Sequence, residues 1–353
     1  MKQEKIIIRT DSGEQVEAQA PVIVSASRAT DIPAFYADWF FDRLDKGYAM
    51  WRNPYNGVDY PISFANTRFI VFWSKNPQPL IKHLPKLKER GIGCYVQFTL
   101  NDYDNEGLEP NVPVLEQRID TFKALVDQLG VGHIIWRFDP LILTDNIRPE
   151  VLIDRIRNIG NALKGHTEKL VFSFADIAVY SNVCRNLERH GVKYREWTEP
   201  EMHDFAQKLS ELNKSEGWNY QLATCAEKVD LSAFGIKHNR CIDNELIVRL
   251  ACHDNALMDC IGAEIKTCTP NLFGEVEIPE GSIQLPGNQY AVLSSMKKDS
   301  GQRTVCGCCK SKDIGQYNSC PHSCLYCYAN RNPEAAIRNY HQHLANPFTD
   351  KIH

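Results

Sequence analysis

Six short apolar runs alternate with helical patterns along the first two-thirds of the chain. Each run is rich in Val, Ile, Phe, Tyr or Trp, which is typical of strands buried on both faces of a parallel sheet. The runs are residues 21–27, 68–75, 93–100, 133–139, 169–176 and 219–226. The helical patterns lie at residues 34–47, 79–91, 112–130, 149–163 and 199–216. This repeated alternation predicts an α/β fold with crossover helices.

Polar side chains gather where these runs end. They are Ser25, Ser27, Arg28, Ser74, Lys75, Asn76, Gln97, Thr99, Asn101, Arg137, Asp139, Ser173, Asp176, Thr224 and Cys225. In a barrel the carboxyl ends of all strands form one mouth, where the active site lies. In a doubly wound sheet only the strands at the switch point need such residues, and no glycine-rich dinucleotide-binding pattern follows the first run. We therefore predict a six-stranded, partial TIM-like (β/α)6 barrel over residues 1–226.

Three cations interrupt or directly follow the apolar runs, namely Arg28, Lys75 and Arg137. A cation in such a place needs a partner, because burying it unpaired is costly. A nearby carboxylate such as Asp139 could pair with one of them, and so could an anionic ligand such as a carboxylate or phosphate. The sequence leaves both explanations open. We take Arg28, Lys75, Arg137 and Asp139 as candidate catalytic residues at the mouth.

The composition limits the class of protein. The net charge is -4, without the basic surplus of a general nucleic-acid binder, so we do not expect nucleic acid as a partner. The first residues carry only a three-residue apolar run, and no run approaches the length of a membrane span. We therefore expect a cytoplasmic protein without membrane association. In that reducing compartment, clustered cysteines indicate metal or redox chemistry rather than disulfides.

Eleven of the 13 cysteines lie in the last 129 residues. Residues 227–303 are interpreted as an irregular connecting region, and residues 304–353 as a cysteine-rich segment followed by a C-terminal helix. Within that segment Cys320, Cys324 and Cys327 have C-x3-C-x2-C spacing. Such a loop can wrap around one cubane iron–sulfur cluster and leaves the fourth iron open to a small molecule. Zinc is the rival metal, because His322 lies within the loop as a candidate fourth ligand.

The stretch CPHSCLYC resembles the cluster motif of radical S-adenosylmethionine (SAM) enzymes, and CLYCYA also resembles spore photoproduct lyase. The longer stretch DIGQYNSCPHSCLYCYAN resembles a bacterial and archaeal family known as domain of unknown function 1848. SASRATDIPAFY, VFWSKNP and IIWRFDP resemble the same family, so the resemblance spans nearly the whole chain. The family carries no assigned reaction.

The radical SAM resemblance implies a [4Fe-4S] cluster on Cys320, Cys324 and Cys327, with SAM bound at the open iron and Tyr326 near its adenine. A reductant such as flavodoxin or ferredoxin would supply the electron that splits SAM. The resulting 5′-deoxyadenosyl radical would abstract hydrogen from a small or medium-sized substrate in the barrel. Asp313 would either contact the SAM ribose or cap a turn.

Two features depart from the radical SAM pattern. In that superfamily the cysteine loop follows the first barrel strand, whereas here it follows all six predicted strands. Either the barrel is circularly permuted, or a C-terminal extension folds over the mouth. The glycine-rich segment that usually positions the SAM amino group is also missing.

Four further cysteines are candidate ligands of a second metal. Cys225 ends the sixth run, Cys241 follows it, and Cys306 and Cys308 precede the cysteine loop. Four such thiolates would suit an auxiliary iron–sulfur cluster or a zinc ion, although free cysteines also pack as small apolar residues. The sequence thus supports three functions: a radical SAM enzyme, a lyase-like enzyme of nucleic-acid repair or modification, and a non-catalytic zinc-binding barrel protein.

Overall fold

The computed structural model describes residues 4–268, 278–294, 299 and 306–353. Its strands are β1 (Lys5–Arg9), β2 (Gln15–Gln19), β3 (Ile23–Ala26), β4 (Tyr48–Arg52), β5 (Asp59–Ser63), β6 (Phe69–Ser74), β7 (Gly93–Thr99), β8 (Ile134–Leu141), β9 (Leu143–Thr144), β10 (Lys169–Phe174), β11 (Tyr194–Arg195), β12 (Gln221–Thr224), β13 (Lys237–His238), β14 (Ala263–Thr267), β15 (Ile283–Leu285), β16 (Gln289–Leu293) and β17 (Lys312–Asp313).

The α-helices are α1 (Ile32–Phe35), α2 (Ala37–Lys46), α3 (Leu84–Glu89), α4 (Leu115–Leu129), α5 (Pro149–Ala162), α6 (Ser181–Arg189), α7 (Glu199–Ser215), α8 (Asn244–Ala251), α9 (Asn255–Ile261) and α10 (Pro333–Ala345). Short 3-10 helices cover Gln78–His83 and Ser232–Phe234. No helix in the described ranges has the length and apolarity needed to span a membrane.

A parallel sheet of eight strands forms the centre of the molecule, in the order β13-β12-β10-β8-β7-β6-β3-β17. From β3 to β13 the strands lie in chain order without a reversal. A doubly wound sheet requires a reversal at its switch point, so this order excludes the doubly wound alternative. The edge strands β13 and β17 do not pair with each other in the described residues, so the sheet is not hydrogen-bonded into a closed barrel.

The six predicted strands are all present, as β3, β6, β7, β8, β10 and β12. The α/β class is therefore confirmed, but the parallel sheet has eight strands rather than six because β13 and β17 extend its edges. Each added strand has only two residues, Lys237–His238 and Lys312–Asp313. Two polar residues give no apolar run, so neither strand has a signal in the sequence.

The two faces of the sheet are covered differently. Side chains alternate along each strand, so Ile70 and Phe72 of β6 point into one apolar core while Phe69 and Val71 point into another. The first core also contains buried side chains of α2, α4, α5 and α7, the crossover helices. The second contains residues of α8, α9, β15 and β16, together with Cys241, Cys308 and Cys309.

The interpretation of residues 227–303 as irregular is wrong for their described part. They contain α8 and α9, and β14, β15 and β16 form a three-stranded antiparallel sheet. Asp243 accepts hydrogen bonds from the first amides of α8, and Asp254 does so for α9. These side chains are N-caps that start short helices, a signal the periodicity alone does not carry. The rest of the expected connection, at 269–277, 295–298 and 300–303, lies outside the described residues.

The C-terminal part of the chain joins the sheet through β17. Lys312 pairs with Val24 and Asp313 with Ser25, parallel to β3. The chain then passes so close to the end of β3 that a Cβ on Gly315 would lie 1.8 Å from Ser27 Oγ. The glycine is therefore required by close packing of the two segments, since Gly lets another backbone approach.

We expect Gly315→Ala to destabilise the protein by about 1–3 kcal/mol, because the added methyl group overlaps Ser27. Urea unfolding measures this loss, and native-state proteolysis should show faster cleavage of residues 313–330. Gly160→Ala is the matched control, since its Cβ would lie 2.5 Å from the Trp218 ring in the helical layer. The control should lose stability without faster cleavage of residues 313–330, and identical cleavage in both variants would contradict the role assigned to Gly315.

Candidate functional site

The segment 313–330 contacts loops and a helix that follow the parallel strands. Thr30, after β3, donates a hydrogen bond from Oγ1 to the Gln316 carbonyl over 2.8 Å. Lys75, after β6, donates from Nζ to the Tyr326 hydroxyl over 2.9 Å. Asn186, beyond β10, donates to the Leu325 carbonyl over 2.7 Å. The cysteine loop therefore lies at the carboxyl edge of the sheet, which is where α/β proteins bind their ligands.

The loop carries the three spaced cysteines, of which Cys324 is buried and Cys320 and Cys327 are half-buried. Burial raises the pKa values of Cys320, Cys324 and Cys327 above the usual range of a thiol. The backbone amides of Asn330 and Ala329 donate to the Cys327 sulfur, and Cys320 likewise has two amide donors. Amide hydrogen bonds to sulfur stabilise thiolates bound to iron–sulfur clusters. Because burial is the largest influence, all three side chains are neutral thiols near neutral pH in the absence of a bound cation.

His322, the candidate zinc ligand, forms hydrogen bonds with other residues through both ring nitrogens. Its Nε2 lies 2.8 Å from Asp31 Oδ2, and its Nδ1 lies 3.1 Å from the Asn111 carbonyl oxygen. Both ring nitrogens are therefore occupied, and neither is available to a metal. As the side chains stand, the described residues contain no group of three or more His, Cys, Asp or Glu arranged to hold a metal ion.

A buried charge network fixes Tyr326 and Lys75. Lys75 Nζ lies 2.7 Å from Glu109 Oε1, and the Tyr326 hydroxyl donates to the same oxygen. Asn101 Nδ2 adds a hydrogen bond of 3.1 Å to that hydroxyl. Although burial opposes ionisation, the cations of Lys75 and Arg118 lower the pKa of Glu109 to about 2. Lys75 is thus a paired cation, which favours the structural explanation of this residue over an anionic ligand.

Arg137 is also paired. It donates to Asp139, to Gln97 Oε1 over 3.2 Å and to the Cys241 sulfur over 3.3 Å. Asp139 in turn accepts a hydrogen bond from the Ser173 hydroxyl. Arg137 and Asp139 therefore form one connected group that spans β8, β7 and β10, with no charge left over.

Arg28 differs from the other two cations. Its guanidinium lies 5.4 Å from the centre of the Trp73 ring, as does that of Arg137 on β8. Its Nη2 is buried and has no hydrogen-bond partner in the described part of the chain. An unsatisfied buried donor costs free energy until a ligand or water accepts from it. Arg28 is therefore the cation best placed to bind an anionic group.

Asp313 is saturated by protein donors. Its Oδ1 accepts from Ser27 Oγ and from the Gly315 amide, at 2.8 and 3.0 Å. Its Oδ2 accepts from Ser25 Oγ and the Arg28 amide, also at 2.8 and 3.0 Å. These four bonds tie β17 to the end of β3. They support the capping role of Asp313 rather than contact with a ribose.

The second set of cysteines lies on the inner face of the sheet, the face that packs against α8, α9, β15 and β16. The sulfurs of Cys225 and Cys241 are 3.3 Å apart, and the Cys308 sulfur accepts from the Cys241 amide over 3.2 Å. The side chains of Cys306 and Cys308 form a further hydrogen-bonded pair. Hydrogen bonds from Cys225 and Cys308 lower the pKa of Cys241 well below its usual value, and Arg137 acts in the same direction. All four predicted ligands of the second site are therefore neighbours.

Sequence reasoning missed Glu109 and Arg118. Glu109 lies in the loop between β7 and α4, outside any apolar run. Arg118 does carry a signal, because it lies on the buried face of α4 with Phe122 and Leu125. A cation on an apolar helical face needs a buried anion, so this position indicates a hidden carboxylate partner.

We expect Glu109→Gln to lower the free energy of unfolding by about 3–5 kcal/mol near neutral pH. The substitution keeps the shape but leaves the Lys75 and Arg118 cations without their buried anion. Urea denaturation measures the loss. Glu17→Gln is the control, because Glu17 forms an exposed pair with Lys5 and its loss should cost under about 1 kcal/mol.

The same variant tests the pH dependence. The paired cations lower the pKa of Glu109 from its ordinary value of 4.5 to about 2. Its ionised form therefore contributes stability that is fully present above pH 4.5 and is lost as the pH falls towards 2. The wild type should therefore lose stability more steeply over that interval than Glu109→Gln. Parallel pH profiles would show that the pairing makes no contribution.

Comparison with known proteins assigns the family. The chain matches none of the curated proteins. A family model described as a domain of unknown function, DUF1848, matches residues 23–329. The match begins at β3 and ends at Ala329, just beyond Cys327, so it includes the parallel sheet and both sets of cysteines. The chain belongs to the DUF1848 family.

Proposed function

We propose that this protein is an iron–sulfur enzyme of the radical SAM type that acts on a small or medium-sized anionic substrate. One observation carries the proposal: the cysteine loop follows β17, the strand that lies beside β3 at the edge of the parallel sheet. In radical SAM enzymes the loop follows the first barrel strand. Here the strand in the corresponding place comes last in the chain, which supports a circularly permuted partial barrel with the loop at its mouth.

The residues present fit a cubane cluster better than a zinc ion. Cys320, Cys324 and Cys327 would each bind a different iron atom, so their sulfurs need not converge on a single point. His322 is occupied on both ring nitrogens, which leaves the loop one ligand short of a structural zinc site. Near Cys327 the amides of Ala329 and Asn330 lower the thiol pKa in part, against the larger effect of burial. These observations argue against a non-catalytic zinc protein.

Cys320, Cys324 and Cys327 would hold a [4Fe-4S] cluster, and with one electron from an external reductant this group would supply the reductive cleavage of SAM into methionine and a 5′-deoxyadenosyl radical. The protein side chains have simpler roles in the proposal. The hydroxyl of Tyr326 is fixed by Lys75, Asn101 and Glu109, which holds its ring at the edge of the loop. The Lys75 cation acts on Cys324 through space and offsets the negative charge that a cluster-bound thiolate brings.

Substrate binding is assigned to Arg28. Its buried and unpartnered Nη2 would donate a hydrogen bond to an anionic group of the substrate, while the nearby Trp73 ring offers an apolar surface. Arg137 and Asp139 would shape the neighbouring wall rather than bind the anion, because they already satisfy each other. The proposal includes a reductant such as flavodoxin or ferredoxin, which would supply electrons. It also places the protein in the cytoplasm.

The decisive experiment is anaerobic purification followed by metal and product analysis. We expect a brown protein with at least about four iron and four sulfide per chain. With SAM and dithionite it should form 5′-deoxyadenosine, measured by chromatography. Replacing Cys320, Cys324 and Cys327 together by Ala should remove about four iron atoms and abolish the product.

Cys94→Ala is the matched control, since Cys94 lies near the start of β7 and is buried in the core that contains the crossover helices. It should keep both the iron and the product. A colourless wild type with stoichiometric zinc would refute the proposal. So would a triple variant that keeps all its iron.

A further inference from the structure

The four cysteines of the inner face lie where the two edges of the parallel sheet come together. Cys241 follows the edge strand β13, and Cys308 precedes the opposite edge strand β17. The two segments are hydrogen-bonded, because the Cys309 amide donates to the Ile242 carbonyl over 3.0 Å. Although β13 and β17 do not pair with each other in the described residues, the segment after β13 and the segment before β17 are in contact at this junction.

Gly307 shows how closely the two segments approach. A Cβ at this position would lie 3.1 Å from Arg240 Cγ, which is tighter than ordinary van der Waals contact. The glycine lies between Cys306 and Cys308, so the Cys-Gly-Cys sequence brings both sulfurs against the segment that carries Cys241. The segments around Gly307 and Arg240 are therefore closely packed at this junction.

The sulfurs form a continuous chain at the junction. Cys225, at the carboxyl end of β12, contacts Cys241 at 3.3 Å. Cys241 and Cys308 are hydrogen-bonding neighbours, and Cys308 and Cys306 are as well. Four thiolates around one zinc ion lie about 3.8 Å apart, as bonds of about 2.3 Å in a tetrahedron require. The Cys225–Cys241 distance is near that spacing, whereas the four sulfurs as they stand do not surround one point, so a metal would have to draw Cys225 and Cys306 inward.

The surroundings are suited to charged sulfur. The Cys308 sulfur accepts from the backbone amides of Cys241 and Ile242, at 3.2 and 3.4 Å. The Cys241 sulfur accepts from Arg137 Nη1 and Asn239 Nδ2, at 3.3 and 3.4 Å. Four N–H donors directed at two buried sulfurs are the outer-shell interactions that metal thiolates require. Buried thiols that act only as apolar filler need no such donors.

We propose that Cys225, Cys241, Cys306 and Cys308 bind a thiolate-preferring metal, a zinc ion or an iron–sulfur centre, that joins the two edges of the sheet. The metal would link the ends of β12 and β13 to the segment that leads into β17. It would thereby fix the strand from which the Cys320–Cys327 loop begins. This inference does not depend on SAM chemistry.

The test uses the full chain with Cys320, Cys324 and Cys327 replaced by Ala, so that any metal at the first site is absent. Purified anaerobically, this variant should retain one zinc ion, or iron with acid-labile sulfide, per chain, and the two analyses distinguish the two metals. If the site holds zinc, exchange with cobalt should give thiolate-to-cobalt charge-transfer bands. Adding Cys308→Ser or Cys241→Ser should lower the metal content at least about tenfold.

Cys309→Ser is the matched control, because Cys309 is buried beside Cys308 but lies outside the sulfur chain. In the same background it should keep the metal and the cobalt spectrum. Chelation should lower the melting temperature of the background variant and of this control, but not that of Cys308→Ser.

Three outcomes would overturn the proposal. The first is a background variant without bound metal, and the second is full metal retention after Cys241 and Cys308 are both replaced. The third is a Cys225–Cys241 disulfide, seen by mass spectrometry as the loss of two hydrogens, in place of a metal. None of them bears on the cluster proposed for the Cys320–Cys327 loop, so the two proposals fail separately.

Discussion

The pairing of β17 with β3 is the interaction on which the candidate site depends. It is short, with two register pairs, but the Asp313 carboxylate adds four hydrogen bonds to the end of β3. Beyond it the chain crosses Ser27 at Gly315 and then lies along the carboxyl edge of the sheet. Without this anchor the cysteine loop would have only its contacts with loops and helices to hold it at the strand ends.

Charge compensation explains why the same edge tolerates so many buried polar groups. Glu109 is fully buried, yet Lys75 and Arg118 keep it ionised. Arg137 and Asp139 satisfy each other in the same way. Removing either partner of such a pair leaves a buried charge without compensation, which is far costlier than the net gain from the pair. The edge is consequently a surface of paired charges, on which Arg28 Nη2 remains a buried donor without an acceptor in the described residues.

The strands of the central sheet could be predicted because each is continuously apolar, as Phe69–Ser74 illustrates. The spacing of Cys320, Cys324 and Cys327 likewise identifies the loop from the sequence alone. β17 could not be predicted, because Lys312 and Asp313 are polar and their strand conformation is imposed by β3. Glu109 itself could not be predicted either, because Arg118 indicates a buried carboxylate without saying which one, and the other partner, Lys75, lies 34 residues away. The order of apolar and polar residues along the chain indicates strands and helices, whereas the β3–β17 pairing and the Lys75–Glu109 pair join residues that meet only in the folded protein.

The placement of β17 has a consequence for how the protein matures. The contact between Ser25 and Asp313 joins residues separated by 288 positions. During synthesis the N-terminal residues leave the ribosome first, so this edge of β3 stays unpaired until Lys312 and Asp313 have been made. Contacts so distant in sequence form slowly. The Cys320–Cys327 loop therefore reaches its place only after the strands from β3 to β13 have been made, and any inorganic cofactor it receives binds after the synthesis of those strands and not before it.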